Sequence, residues 1–197
     1  MVGLTQAVRL LEDAVHYGLR AVEGVGSDAL SRPTPCAGWD LDMLLCHVNE
    51  SMSALREGAE SHCIGLGPPD RRPRPPGASG VPDRVAAFRD GALDLLLAWR
   101  HRAAGRPEME VGGLSLADQT VAFVGAVEIA VHGWDIAESC GTRRAIPTPL
   151  ALAMLEWAPL FVDDGARPLL FAAPVPVPPQ ASPSDRLVAY LGRQPGS

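Results

Sequence analysis

The sequence predicts a single-domain, all-α protein whose four long helices form a bundle. Apolar residues recur every three or four positions in four long segments, which is the period of an amphipathic helix. Proline, glycine or capping residues bound these segments. The length of 197 residues suits one domain, and no internal repeat or linker divides it. We therefore expect one domain over residues 1–197, with a C-terminal extension from about residue 145.

The first two helices are predicted from their apolar positions and their boundaries. Residues 4–24 carry an apolar stripe, and residues 25–38 contain the prolines and glycines of a connector. Asp40 is a suitable N-cap for a second helix that runs to about residue 62. Residues 64–82 are dense in Pro, Gly and Arg, which predicts a long loop between the second and third helices.

The remaining helices follow after this loop. The third is predicted over residues 82–103, with Pro82 in its first turn. Ser115 and Asp118 resemble a capping box for a fourth helix over 116–140, which Gly141 would end. A fifth helix is expected over 148–162 and a short one over 183–191. Residues 169–177 are apolar but broken by prolines, which indicates an extended segment or a short strand.

Composition and charge exclude several classes of protein. Hydrophobic residues make up 47% and charged residues 20% of the chain, as in soluble globular proteins. The net charge of −6 is opposite to that of a nucleic-acid-binding surface. No apolar run is long enough to span a membrane. Glu12 and Asp13 lie within the apolar stripe of the first helix, which is not the pattern of a signal peptide. The four cysteines show no C-x-x-C spacing, so we expect reduced thiols in the cytoplasm.

Glu128 and His132 are the first candidates for a metal site. Their spacing of four residues places both side chains on one face of the fourth helix. The surrounding segment is almost entirely apolar, and burying a carboxylate there is costly unless a cation pairs with it. His47, among the apolar residues of the second helix, is the candidate third ligand, and Asp135 is placed to orient an imidazole. From the spacing alone, a packed core histidine or a surface Glu–His pair is a more common interpretation than a metal site.

Two segments resemble a known family. Residues 34–48 (TPCAGWDLDMLLCHV) and 128–141 (EIAVHGWDIAESCG) look like the two signature segments of the mycothiol-dependent maleylpyruvate isomerase family. Residues 181–195 (ASPSDRLVAYLGRQP) are similar to the ending of its short, single-domain members. That family belongs to the DinB-like group of four-helix-bundle metalloproteins. The resemblance therefore implies the fold that the helical pattern predicts.

The resemblance also implies a metal, a thiol and a class of reaction. Its ligand positions fall on His47, Glu128 and His132, which would hold one divalent ion, with zinc expected first and nickel or manganese as alternatives. The ion would lower the pKa of mycothiol or a similar small thiol, whose thiolate adds to a small electrophilic substrate. Isomerisation or S-transfer would follow. A homodimer is a further expectation from the resemblance.

The sequence departs from the family beside the first ligand, where Asn49, Glu50 and Ser51 replace small or apolar residues. Glu50 and Ser51 are candidate catalytic residues together with Asp135, although a solvated helix edge is the favoured interpretation of the first two. Two other functions therefore stay open. One is a thiol-independent lyase, hydrolase or cyclase that uses the metal to polarise a carbonyl or activate water. The other is a non-catalytic metal-binding protein.

Overall fold

The structure, a computed structural model, describes residues 3–26, 28–65, 81–102, 108–162 and 171–196. Within these ranges the protein is mostly helical, with a small three-stranded sheet. The elements in chain order are α1 (Leu4–Val22), α2 (Leu41–Ser61), β1 (Cys63–Ile64), α3 (Val81–His101), β2 (Glu108–Val111), β3 (Leu114–Ala117), α4 (Asp118–Ser139), α5 (Thr148–Phe161) and α6 (Pro183–Tyr190). The predicted Pro/Gly/Arg loop lies largely outside the described residues. The sequence predicts an extended segment or short strand over residues 169–177. The described part of it, from residue 171, forms no strand, and residues 169–170 lie outside the described residues.

Two of the predicted helix boundaries are confirmed by their capping contacts. The Asp40 carboxylate accepts a hydrogen bond from the backbone N–H of Met43 at 2.9 Å, as an N-cap of α2 should. Gly141 follows α4 with a φ of 72°, and its N–H donates to the carbonyl of Glu138 at 2.9 Å. A residue with a side chain is strained at such a φ, which explains a glycine there.

The predicted capping box of the fourth helix is wrong. Ser115 belongs to β3, and its hydroxyl donates to the Glu108 carboxylate on β2 at 2.9 Å. The helix begins later, at Asp118, directly after Ala117 and without a side-chain cap. The serine hydroxyl therefore bonds to a residue of the neighbouring strand and not to the N-terminus of the helix, because the chain before α4 forms a β-hairpin.

Paired glycines produce this hairpin. Gly112 and Gly113 have φ values of 57° and 85°, and they connect the paired residues Val111 and Leu114. Two successive residues with positive φ match the turn that the twist of a two-residue hairpin needs. β1 then adds to β2 in parallel, which gives the sheet order β1-β2-β3. No strand is predicted from the sequence in this region, so the sheet is found only in the structure.

The core is built around α4, which packs along α1 and also contacts α2. Glycines allow a close approach of α1 to α4: a Cβ at Gly133 would lie 3.1 Å from the ring of Tyr17. A Cβ at Gly18 would lie 3.0 Å from Phe88 of α3. Although α4 has the length and composition of a membrane span, 78% of its apolar window is buried in the fold. It is therefore the core helix of the described structure.

A buried ion pair closes the end of this core. Asp118, the first residue of α4, binds the guanidinium of Arg102 through both carboxylate oxygens, one of them 2.6 Å from Nη2. The two side chains are 1% and 2% exposed. Arg102 also donates to the carbonyls of Gly58 and Ala59 at 3.0 Å and contacts Nδ1 of His62 at 2.9 Å. One cation thus joins the end of α2, the end of α3 and the start of α4.

Candidate metal centre

The three predicted ligands meet between α2 and α4. Nε2 of His47 lies 2.6 Å from Oε1 of Glu128, and Nε2 of His132 lies 3.4 Å from the same oxygen. One ligand atom from each residue lies within 4.8 Å of those of the other two. The two imidazole rings stand almost perpendicular, with centroids 5.1 Å apart. The structure therefore brings His47 beside two residues that lie more than 80 positions later in the sequence.

The local sequence explains how each ligand reaches this point. Asp40 starts α2, and His47 follows seven residues later, which is two helical turns. The ring of Trp39 contacts the His47 imidazole edge to face at a centroid distance of 5.0 Å. On α4, Glu128 and His132 lie one turn apart on the same face. Trp39 therefore packs against a candidate ligand.

Asp135 holds the other side of His132. Nδ1 of His132 donates to Oδ2 of Asp135 at 2.9 Å, and the aspartate is fully buried. With Nδ1 engaged, the imidazole presents Nε2 toward Glu128 and His47. Asp135 also accepts hydrogen bonds from Arg193 at 3.0 Å and from the thiol of Cys36 at 3.3 Å. Of these residues, Asp135 was predicted from its spacing to His132, whereas Arg193 and Cys36 were not predicted from the sequence.

The electrostatics of the three groups are strongly coupled. Burial alone would raise the pKa of Glu128, but the charge of His132 and hydrogen bonds from both histidines hold it well below the ordinary value. Burial alone would lower the pKa of His132, but the Glu128 carboxylate and the bond to Asp135 raise it well above the ordinary value. Burial likewise opposes ionisation of Asp135, and His132 and Arg193 outweigh it to lower its pKa. Two carboxylates thus remain ionised around one imidazole.

Ser51 and Glu50 occupy different surroundings although they are neighbours in sequence. The Ser51 hydroxyl donates to Oε1 of Glu128 at 3.1 Å, so it lies beside the candidate ligands. Glu50 is exposed and accepts a weak hydrogen bond from the thiol of Cys46 at 3.6 Å. The structure thus brings Ser51 to the centre and shows Glu50 on the solvent side of α2. A catalytic role for either residue stays a prediction.

The donor set fits a divalent cation. Two imidazole nitrogens and one carboxylate oxygen are usual ligands of zinc, and three protein ligands leave coordination positions for another molecule. His47 and Glu128 retain 37% and 31% side-chain exposure, so the centre is reachable from solvent. The ionised Glu128 supplies the negative charge that a cation requires. Such an arrangement can hold a metal and present it to a small molecule.

A second group of candidate ligands shares His132 with the first. Cys36, His132 and Asp135 also place ligand atoms within 4.8 Å of one another. The guanidinium of Arg193 occupies this side, however, 3.7 Å from the Cys36 sulfur and 3.0 Å from Asp135. A metal ion there would stand beside a permanent positive charge, which disfavours it. The geometry therefore favours the set formed by His47, Glu128 and His132.

An open groove of about 560 Å³ lies elsewhere, and none of the residues that line it belongs to this centre. Arg56 in this groove pairs with Glu60 at 3.8 Å and with Asp94 at 4.0 Å. Arg102 turns its charge inward to Asp118. The two arginines of the groove are therefore paired with carboxylates. The candidate functional site is the centre formed by residues of α2 and α4.

The fold and the centre together define a class: a mostly helical protein with a candidate metal site of two histidines and a carboxylate on facing helices. The chain belongs to the family of the mycothiol maleylpyruvate isomerase N-terminal domain, a DinB-like domain whose family model matches residues 11–137. The match includes all three candidate ligands and Asp135. The resemblance drawn from the two signature segments is thereby confirmed.

Two relatives extend over most of the chain. Both are proteins of Mycobacterium tuberculosis described as uncharacterized, one from strain CDC 1551 / Oshkosh and one from strain ATCC 25618 / H37Rv. Each is 28% identical over 183 residues, which cover 86% of this chain and 87% of the relative. No solved structure shows a significant match. The similarity to these relatives therefore continues beyond the family domain.

Proposed function

We propose that this protein is a metal-dependent enzyme that adds a low-molecular-weight thiol, such as mycothiol, to a small electrophile in an isomerisation or S-transfer. The observation that carries the proposal is the convergence of His47, Glu128 and His132, within 4.8 Å of one another, in a chain of this family. We also interpret α1 to α4 as the DinB-like four-helix bundle. We predict that the protein is a single domain, that it is cytoplasmic and that it forms a homodimer. We predict no nucleic-acid or membrane partner.

The donor set supports zinc as the metal. Imidazole nitrogen is a borderline ligand that zinc, copper and nickel accept, and one carboxylate oxygen completes a common zinc set. Nickel and manganese remain the alternatives. When bound, the ion would supply Lewis acidity, which lowers the pKa of a coordinated thiol and favours the nucleophilic thiolate.

The protein residues prepare the centre in three ways. Glu128 accepts hydrogen bonds from His47 and Ser51, so its carboxylate is already directed at the point where the ligands converge. Asp135 fixes the tautomer of His132 by accepting from Nδ1. Trp39 packs against His47 and limits its rotation. The ligands therefore need little rearrangement to bind an ion, which reduces the entropy cost of binding.

Metal content is the direct test. Wild-type protein purified without a polyhistidine tag is expected to carry about one divalent ion per chain by mass spectrometry, as a three-ligand site should. His132→Ala removes a ligand and should lose the ion. The matched control is His16→Ala, because His16 is an exposed histidine on α1. Wild-type protein that stays metal-free after incubation with zinc, nickel and manganese would refute the proposal.

The thiol is tested by its effect on unfolding. Mycothiol at about 100 times its dissociation constant should stabilise the zinc-loaded protein by about 2.7 kcal/mol, because ligands that bind only the folded state stabilise it. We expect this as a rise in melting temperature that is absent in the metal-free protein. S-methyl mycothiol, which lacks the free thiol, is the control. Equal stabilisation by both compounds would contradict metal–thiol binding, and no stabilisation by either would favour the thiol-independent reactions.

A further inference from the structure

The C-terminal segment reaches back to the candidate metal centre through Arg193. Helix α6 ends at Tyr190, and Gly192 follows two residues later with a φ of 84°. The N–H of Arg193 then donates to the carbonyl of Val188 at 2.9 Å, which closes the end of the helix. A Cβ at Gly192 would lie 2.7 Å from Ala172, so only glycine fits. This tight turn directs the arginine toward α4.

The contact between Arg193 and Asp135 is double and buried. Nη2 of Arg193 lies 3.0 Å from Oδ2 of Asp135, and Nε lies 3.3 Å from Oδ1. The arginine side chain is 12% exposed and the aspartate side chain is 0% exposed. A guanidinium that engages both oxygens of a carboxylate defines the orientation of that carboxylate as well as neutralising it. Asp135 is thus held by a residue 58 positions later in the sequence.

The same carboxylate holds a candidate ligand. Oδ2 of Asp135 accepts from Nδ1 of His132 at 2.9 Å while it accepts from Arg193. The terminal torsion of an aspartate is broad, so a single hydrogen bond to His132 would leave its plane poorly defined. Arg193 removes this freedom by fixing the second oxygen. The orientation of the His132 imidazole therefore depends on the C-terminal segment.

We propose that Arg193 is a positioning residue of the metal centre, which acts through Asp135 to direct Nε2 of His132 at the ion. This inference rests on the proposed function, because it assumes that His132 is a ligand. It gives the segment after α6 a role in the site although that segment lies outside the residues matched by the family model. The chain of contacts runs from Arg193 to Asp135 to His132.

Zinc affinity measures this role without reference to any reaction. Residues that support metal ligands typically contribute about 10- to 100-fold to metal affinity. Arg193→Met should weaken zinc binding by an amount near the upper end of this range. Arg193→Lys keeps the charge but loses the double contact, so we expect the lower end of that range. Arg186→Met is the matched control, because Arg186 is an exposed arginine on α6. Its zinc affinity should equal that of the wild type.

A double-mutant cycle separates this role from general stabilisation. In an Asp135→Asn background, Arg193→Met should cause no further loss of zinc affinity, because the residue through which it acts is already changed. A full additional loss would overturn the proposed path. If Arg193→Met does not fold, Arg193→Lys carries the same comparison in both backgrounds.

The outcomes also separate this inference from the proposed function. A wild-type protein that binds zinc, with Arg193 variants of equal affinity, would overturn the role of Arg193 alone. A wild-type protein without zinc affinity would overturn both. The ¹⁵N chemical shifts of the His132 imidazole in the metal-free protein provide a second readout. They should change in Arg193→Met and stay constant in Arg186→Met, and no change in either would contradict the coupling.

Discussion

Replacing Glu128 by glutamine is expected to weaken zinc binding by more than about 100-fold, which exceeds the loss typical of supporting residues. Glutamine keeps the size of the side chain but removes the only carboxylate among the three candidate ligands. The two imidazoles that face Oε1 are then left with a neutral amide, which is a poorer ligand for a divalent cation. The dissociation constant can be measured by competition with a chromogenic chelator.

The control for this variant is on the same helix. Glu138→Gln removes a carboxylate near the end of α4, ten residues after Glu128, and should retain the wild-type zinc affinity because Glu138 is not among the candidate ligands. Circular dichroism should show equal helical content for both variants. If Glu128→Gln bound zinc as tightly as the wild type, Glu128 would not be a ligand and the centre would have to be reassigned.

The second large effect concerns stability rather than metal binding. Arg102→Met is expected to lower the free energy of unfolding by about 3–5 kcal/mol, because it leaves a buried carboxylate without its cation. Asp118 is 1% exposed, so water is not in contact with its carboxylate to take the place of the arginine. The carbonyls at the end of α2 lose their donor in the same variant. Urea denaturation followed by circular dichroism measures the change.

An exposed pair provides the comparison. Arg100 pairs with Glu12 at 2.7 Å, but the arginine is 53% exposed. Arg100→Met should therefore change the free energy of unfolding by at most about 1 kcal/mol. The double variant Arg102→Met/Asp118→Leu, which removes both charges, should recover part of the stability. If Arg102→Met and Arg100→Met lowered the free energy of unfolding equally, the buried pair would contribute no more to stability than the exposed one.

The helices and the ligand set were predictable because they depend on short-range patterns. The apolar period and the cap at Asp40 place α2 correctly, and its hydrogen bond confirms the cap. The four-residue spacing of Glu128 and His132 requires only a regular helix. His47 was predicted on weaker grounds: its apolar neighbours on the second helix made it the candidate among five histidines, and the family motif then supported that choice.

The parts that were missed depend on contacts that spacing cannot encode. Arg193 lies 58 residues from Asp135, and Cys36 lies 99 residues from it, so only the folded chain brings them together. Arg102 lies at the end of a predicted helix, where an arginine is ordinarily solvated. The hairpin did carry a local signal, because Gly112-Gly113 between two short apolar segments is a recognised turn pattern.

The burial of α4 around nearly its whole circumference has a consequence for saturation mutagenesis. Asp118, at its start, is constrained by its buried ion pair and Gly133, in its middle, by packing, whereas Glu128 and His132 are constrained by the proposed chemistry. Intolerance along this helix will not distinguish a folding requirement from a catalytic one. A screen that scores activity should therefore be paired with one that scores protein abundance, and residues that fail only the first will mark the reacting centre.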